Sequence, residues 1–320
     1  MTGHEPALGE PGTPATSVVV CAYTLDRWDL LSAAVRAAAL QAHRPCEVLL
    51  VVDHNDALAV RAREDLVGTG VSVLTNRYGR GLSGARNTGV EEASGEIVAF
   101  LDDDAVPEPG WLAALVAPFG DPEVVATGGV ARPAWSEGRP AWFPREFDWV
   151  VGCSYVGQAP GVADIRNPLG CNMAFRRAAL AAVDGFREDV GRVGGRPLGC
   201  EETELCIRLR QATPTARIVS VPGAVVDHFV TPDRHRFTYF RRRCYAEGIS
   251  KAVVTEAVGA GDGLSSERTY VTSALPRGLV NGVRSSVDTR RLDGAARSAA
   301  IVAGLGFTVA GYVRGKVART

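Results

Sequence analysis

In GLSGARNTGVEEASGEIVAFLDDDA, residues 81–105, three patterns follow one another without a gap. Gly81 to Gly89 is a glycine-punctuated turn running into a helix that ends near Ala93. Glu96–Leu101 (EIVAFL) is apolar almost throughout, as a strand buried on both faces must be. It delivers Asp102, Asp103 and Asp104 to its carboxyl end. Three adjacent carboxylates repel one another. They are tolerated in solvent, or around a divalent cation that prefers hard oxygen ligands. A solvated acidic turn would explain the triplet alone; its position after a buried strand favours the cation.

The same alternation extends towards the N-terminus. Ser17–Ala22, Glu47–Val52 and Val71–Leu74 read as strands, and Asp29–Gln41 and Leu58–Leu66 as helices. This order predicts an α/β fold with a parallel, doubly wound sheet, in which ligands bind beyond the carboxyl ends of the strands. Three such ends are polar: Tyr23 to Asp26, Asp53 to Asp56 and Asp102 to Asp104. Their convergence predicts a nucleotide site. Towards the C-terminus, Trp111–Phe119 reads as a helix and Val124–Val130 as a strand. Residues 132–164 lack periodicity and read as a long loop. Asn172–Phe175 reads as a strand, Arg177–Val183 and Glu201–Arg210 as helices, and Arg217–Val221 and Ala224–His228 as two short strands. From Phe237 the chain reads as helical, with a glycine-rich interruption at Gly259–Gly263.

Composition narrows the class. Hydrophobic residues make up 46% and charged residues 22%, the balance of a soluble globular chain. A formal net charge of −1 argues against a globally basic, nucleic-acid-binding surface. The seven cysteines form no CxxC pair and are odd in number, so they read as reduced thiols rather than a disulfide framework or zinc site. Met1–Thr16 has no apolar stretch and reads as a disordered leader rather than a secretory signal. No segment holds the roughly 18 to 20 uninterrupted apolar residues expected of a spanning helix. Ser298–Val313, followed by Arg314, Lys316 and Arg319, comes closest. It reads as a packed terminal helix or a membrane-surface contact.

Several clusters could carry chemistry, and each has a plainer explanation. His228 at a strand end is a candidate ligand or an ordinary structural histidine. Gly81, Gly84 and Gly89 around Arg86 and Asn87 suit close approach to a ligand, or simply a helix N-terminus. No GK[ST] follows, and no GxGxxG follows the first strand, which disfavours a nicotinamide oxidoreductase. Glu201, Glu202 and Glu204 suit a helix first turn, or a general base with neighbours that tune it. Arg241–Arg243 suits a solvated face or an anion clamp. Trp135, Trp142 and Trp149 suit packing or a sugar-stacking platform.

Together these motifs resemble glycosyltransferase family 2, over about Thr16 to Gly248. SVVVCAYTLDR resembles the family's opening strand and nucleotide-contacting turn, and VVDHND stands where VVDDGS-like residues are usual. GLSGARNTGVEEASGEIVAFLDDDA matches through GxxxARNxG and the terminal aspartates. LGCNMAFRR resembles the acceptor-side block, and GCEETEL the segment carrying the base. The resemblance implies a GT-A fold, with a Rossmann-like nucleotide-binding sheet continuous with an acceptor-binding half. The expected division is 16–125 for the nucleotide-sugar half, 126–250 for the acceptor half and 251–320 for a C-terminal helical extension, after a leader over 1–15.

The resemblance also implies an inverting, metal-dependent, non-processive transfer from a nucleotide-diphosphate sugar, with UDP-sugars favoured. Glu202 would be the base with Glu201 beside it. Ala22, Tyr23, Thr24, Asp53, Gly84, Ala85, Arg86, Asp102, Asp103 and Asn172 would bind the nucleotide sugar. Asp104 and His228 would hold Mn²⁺ or Mg²⁺. Trp142, Trp149 and Met173 would border a saccharide, lipid-carrier or small-molecule acceptor. The expected location is cytoplasmic, with the C-terminal region open to peripheral contact at the membrane's inner face or to homodimer formation. Some residues depart from the family pattern. Glutamate replaces the usual aspartate base, His54 and Asn55 replace aspartate and glycine, and the QxxRW motif of processive synthases is absent. The rival expectations are a sugar nucleotidyltransferase and a non-catalytic sugar-nucleotide-binding protein.

Overall fold

Valines set the frame of the sheet. A computed structural model describes residues 14–190, 199–259 and 269–318. The expected leader, up to residue 13, and residues 260–263 of the glycine-rich interruption lie outside them. SVVVCA fills β1 (Thr16–Ala22), where Val18, Val19 and Val20 are fully buried. Successive strand side chains point to opposite faces. Val18 and Val20 therefore join one core layer with Leu31 and Val35 of α1 (Trp28–Ala39) and Leu58 of α2 (Asp56–Asp65). Val19 joins the opposite layer with Ala85 of α3 (Leu82–Glu92). A Cβ on Gly89 would lie 2.4 Å from Val19 Cγ1, so this glycine is what lets α3 lie against β1.

The sheet runs β3-β2-β1-β4-β8-β6-β9-β5, with β7 paired to β9. β2 (Glu47–Val52), β3 (Val71–Thr75) and β4 (Ile97–Asp102) join β1 in parallel, as expected. Beyond β4, where the sequence pattern changes, the sheet is mixed. β8 (Asn172–Arg176) is antiparallel to β4 and to β6 (Val124–Trp135), β9 (Arg217–Val230) is parallel to β6, and β5 (Ala105–Pro107) is antiparallel to β9. The connection from β6 to β8 carries only a 3₁₀ helix (Arg145–Val151) and β7 (Ala163–Asp164). Without a crossover helix to return the chain, β8 runs opposite to β6. The expected loop over 132–164 is thus partly ordered, and the two strands expected over 217–228 are one.

Short helices α4 (Trp111–Val116) and α5 (Arg177–Ala181) cover the sheet, and α6 (Glu201–Ala212) carries the second acidic cluster. The C-terminal helices are α7 (Phe237–Val258), α8 (Leu275–Thr289), entered through a π-helical turn, and α9 (Asp293–Val317). Phe143 and Phe147 pack with Phe240 of α7, Leu275 of α8 and Ile301 of α9 in a separate cluster. α7 and α9 meet backbone to backbone: a Cβ on Gly248 would fall 2.0 Å from Thr308 O, and one on Gly311 1.9 Å from Tyr245 O. By length and composition α9 could cross a membrane, and most of its apolar window stands outside the protein interior.

Candidate active site

β4 ends at Asp102, and the turn after it buries Asp103 and Asp104. Their charges meet cations from three other segments. Arg27 lies 3.0 Å from Asp103 and 2.7 Å from Asp104, Arg234 lies 3.2 Å from Asp104, and His228 Nε2 is 3.2 Å from Asp104 Oδ1. Pairing of β5 with β9 sets Ala105 opposite His228, which carries the imidazole to the carboxylates. Burial works against ionisation of Asp104, but His228, Arg234 and Arg27 together hold its carboxyl well below the ordinary range. Burial likewise disfavours the imidazolium of His228, yet Asp104 outweighs it and raises the ring to about 10. Asp103 moves the other way, pushed up first by burial and then by Asp104.

One ligand atom each from Asp102, Asp104 and His228 lies within 4.8 Å of the others. Two carboxylates and an imidazole at that spacing fit a divalent cation, which would take over the neutralising role that Arg27 and Arg234 fill. Sequence patterns pointed to Asp104 and His228. They did not point to Arg27 or Arg234, which have no local signature and reach the site only through tertiary folding.

The second cluster opens α6, with Cys200 in the left-handed region (φ 74°) as its N-cap. Its three glutamates have different surroundings. Glu201 accepts a 2.8 Å bond from Arg86, Glu204 accepts one at 2.7 Å from Arg208, and Glu202 lines the cleft. Burial, and then the charge of Glu201, push the Glu202 carboxyl up to about 8. Arg86, only 2% exposed, also donates to Gly170 O at 2.9 Å, so its guanidinium fastens α6 and the loop before β8 to α3.

A single cleft of about 1230 Å³ brings together Ala22, Tyr23, Asp53, Ala85, Arg86, Asp102, Asp103, Asp104, Glu201, Glu202 and His228 among the expected site residues, with Trp149. Asp53 accepts from Asn76 Nδ2 at 2.7 Å and Gly81 N at 3.0 Å, which shapes the turn into α3. Asn55 caps α2 and donates to Tyr23 O, a role its departure from glycine permits.

Other expected site residues face elsewhere. Thr24 caps the turn at Asp26, and a Cβ on Gly84 would meet Gly79 O at 2.7 Å rather than a ligand. Asn172 is fully buried: it accepts from Trp111 Nε1 at 2.8 Å and donates to Val130 O and Ala224 O, tying β8 into the irregular β6–β9 pairing. Met173 is fully buried in the core layer beside Phe175, and Trp142 packs on Phe143, Phe237 and Phe240. Neither lines the cleft. Helical spacing splits the arginine run: Arg243 is buried and reaches the cleft, while Arg241 and Arg242 face solvent.

This curled α/β sheet, with acidic residues beyond β4 and further carboxylates across the cleft, is the architecture of a GT-A-type glycosyltransferase. The chain belongs to glycosyl transferase family 2, whose profile matches residues 17–183. It is 35% identical over 240 residues to a glucosyl-dolichyl phosphate glucuronosyltransferase from Haloferax volcanii, a match covering 74% of this chain and 76% of the relative. It is 40% identical over 193 residues to the pre-mycofactocin glycosyltransferase of Mycobacterium tuberculosis, covering 56% of this chain but only 37% of that protein. Among solved structures, the mannosyltransferase PcManGT from Pyrobaculum calidifontis, in complex with GDP-Man and Mn²⁺, superposes with a TM-score of 0.61 at 19% identity. That match covers 98% of this chain and 90% of PcManGT.

Proposed function

We propose that the chain transfers a sugar from a nucleotide-diphosphate sugar to an acceptor hydroxyl, with inversion at the anomeric carbon and one sugar per encounter. The observation that carries this reading is the single cleft shared by the Asp102–Asp104–His228 group and Glu202. Glu202 takes the proton of the acceptor hydroxyl as the hydroxyl oxygen attacks the anomeric carbon; the bond to the diphosphate oxygen breaks, and its electron pair leaves with the nucleotide diphosphate. Mn²⁺ or Mg²⁺ held by Asp102, Asp104 and His228 would offset the charge of that leaving group. A Glu202 carboxyl raised towards neutral pH is, once ionised, a stronger proton acceptor than a free glutamate. Glu201, neutralised by Arg86, is the positioning neighbour rather than the base. Tyr23 and Asp53, at the ends of β1 and β2, would contact the nucleotide, with a UDP-sugar the favoured donor.

The test is incubation with UDP-, GDP- and dTDP-sugars, with and without Mn²⁺, reading release of the nucleotide diphosphate. One donor turned over only with metal, and lost in Glu202→Gln, is the expected result. Equal turnover by Glu202→Gln would remove the proposed base. Tight nucleotide binding without turnover by the wild type would favour a non-catalytic binding protein.

A further inference from the structure

Helix α9 has two unlike faces. One is locked onto α7 through Gly248 and Gly311. The other presents Ala299, Val302, Val309, Val313 and Val317, recurring at helical spacing, with Val302 60% and Val313 54% exposed. On α8, Val280, Val283 and Val287 are exposed as well. Among residues 269–318 there are six arginines and one lysine against two aspartates, in a chain whose net charge is −1. The apolar outer faces therefore sit within a basic part of the protein. The cleft also reaches this region: Tyr270, Leu275, Leu305, Val309 and Tyr312 line it together with Glu202 and His228. Val309 belongs both to the cleft wall and to the exposed stripe.

We propose that α8 and α9 lie in the surface of an anionic bilayer. The cleft then opens onto that surface beside Val309, and admits an acceptor whose polar head reaches Glu202 while its apolar chain stays along Leu275, Leu305 and Val309. Charge selects this occupant. An apolar face on helices that also expose Arg277, Arg284 and Arg314 complements anionic headgroups, whereas a second copy would set the same basic groups against each other. The packing decides how α9 meets the bilayer. Its inner face is held backbone to backbone by α7, whose Arg241 and Arg242 are exposed, so α9 lies along the surface instead of crossing. The docking stands on its own; the acceptor half rests on the sugar-transfer reading proposed above.

The test is flotation of the full chain with vesicles of phosphatidylcholine alone or mixed with phosphatidylglycerol, at low and high salt. Binding to the anionic vesicles, weakened by salt, is the expected result, since each basic group near such a surface contributes about fivefold in affinity. The double variant Val302→Glu/Val313→Glu touches neither the carboxylate group nor Glu202. It should lower flotation by about tenfold or more while keeping the Mn²⁺-dependent thermal shift with nucleotide. Wild-type protein that floats with neither vesicle, or a variant that floats like the wild type, overturns the docking. A wild-type dimer by light scattering that the variant abolishes, without vesicle binding, gives the face to a second copy and also overturns it. Neither readout requires turnover, so a protein that floats but transfers no sugar refutes the transferase reading alone. A protein that transfers to water-soluble acceptors at a rate vesicles do not change refutes the acceptor half alone.

Discussion

Replacing Arg86 with methionine tests whether its guanidinium is structural cement or a ligand for the diphosphate. The side chain is buried, with both terminal nitrogens engaged, by Glu201 at 2.8 Å and Gly170 O at 2.9 Å. It stacks near Phe186, its charge 5.4 Å from the ring centroid. Removing one partner of a buried pair leaves the other charge uncompensated, which costs about 3–5 kcal/mol. At about 2–4 °C per kcal/mol for a domain near this size, the melting temperature should fall by about 6–20 °C. Adding Glu201→Gln to Arg86→Met removes the stranded charge and should recover part of that loss, so the two substitutions are non-additive. The assay is thermal denaturation of the four proteins of the cycle, with nucleotide binding measured below the transition. A shift of only a degree or two in Arg86→Met, with nucleotide binding abolished, would refute the structural role and make Arg86 a ligand.

Other consequences follow from the same geometry. Glu202→Gln should lower turnover by about 10²–10⁴ while leaving Mn²⁺-dependent nucleotide binding intact, measured by steady-state kinetics and thermal shift. The same substitution should change the pH dependence of stability. A carboxyl raised from 4.5 to about 8 in the folded protein favours the folded state fully below pH 4.5, and that contribution is lost as pH rises through 8. Denaturant melts should show the wild type losing stability relative to Glu202→Gln across that window, and parallel curves would count against the shift. Asp104→Asn should remove the Mn²⁺-dependent part of any nucleotide-induced thermal shift, because it takes one oxygen from the ligand group and a counter-charge from Arg27, Arg234 and His228. Gly89→Ala should cost about 1–3 kcal/mol, read from urea melts, because its Cβ would meet Val19 at 2.4 Å.

Three of the first four strands were legible because each is an almost continuous apolar run, as in SVVVCA and EVLLVV; β3 (VSVLT) is short and interrupted by Ser72. Their parallel pairing follows from the helices between them. The second half of the sheet was harder to read. Pro133 within β6 looks like a break, yet it pairs with His228 of β9; at Pro222 and Gly223 the β6–β9 register does jump, from Gly128–Ser220 to Val130–Val225, although β9 continues as one strand. The carboxylates of the site were visible because their spacing is local. The roles of Asn172 and Met173 were not, since LGCNMAF reads equally well as the wall of a cleft or the middle of a sheet, and burial decides for the sheet. Arg27 and Arg234 carry no signal at all: each is an arginine near a turn until the fold sets it against Asp104.

The glycine contacts between α7 and α9 make the C-terminal helices a fixed part of the protein rather than an appendage. With Thr308 O and Tyr245 O within 2.0 Å of where a methyl would sit, the two backbones pack in direct contact. Any surface on which α9 comes to rest is then held at a constant height from Glu202. The enzyme would act as a depth gauge, accepting hydroxyl groups presented at one reach from their anchor and passing over those set closer or farther.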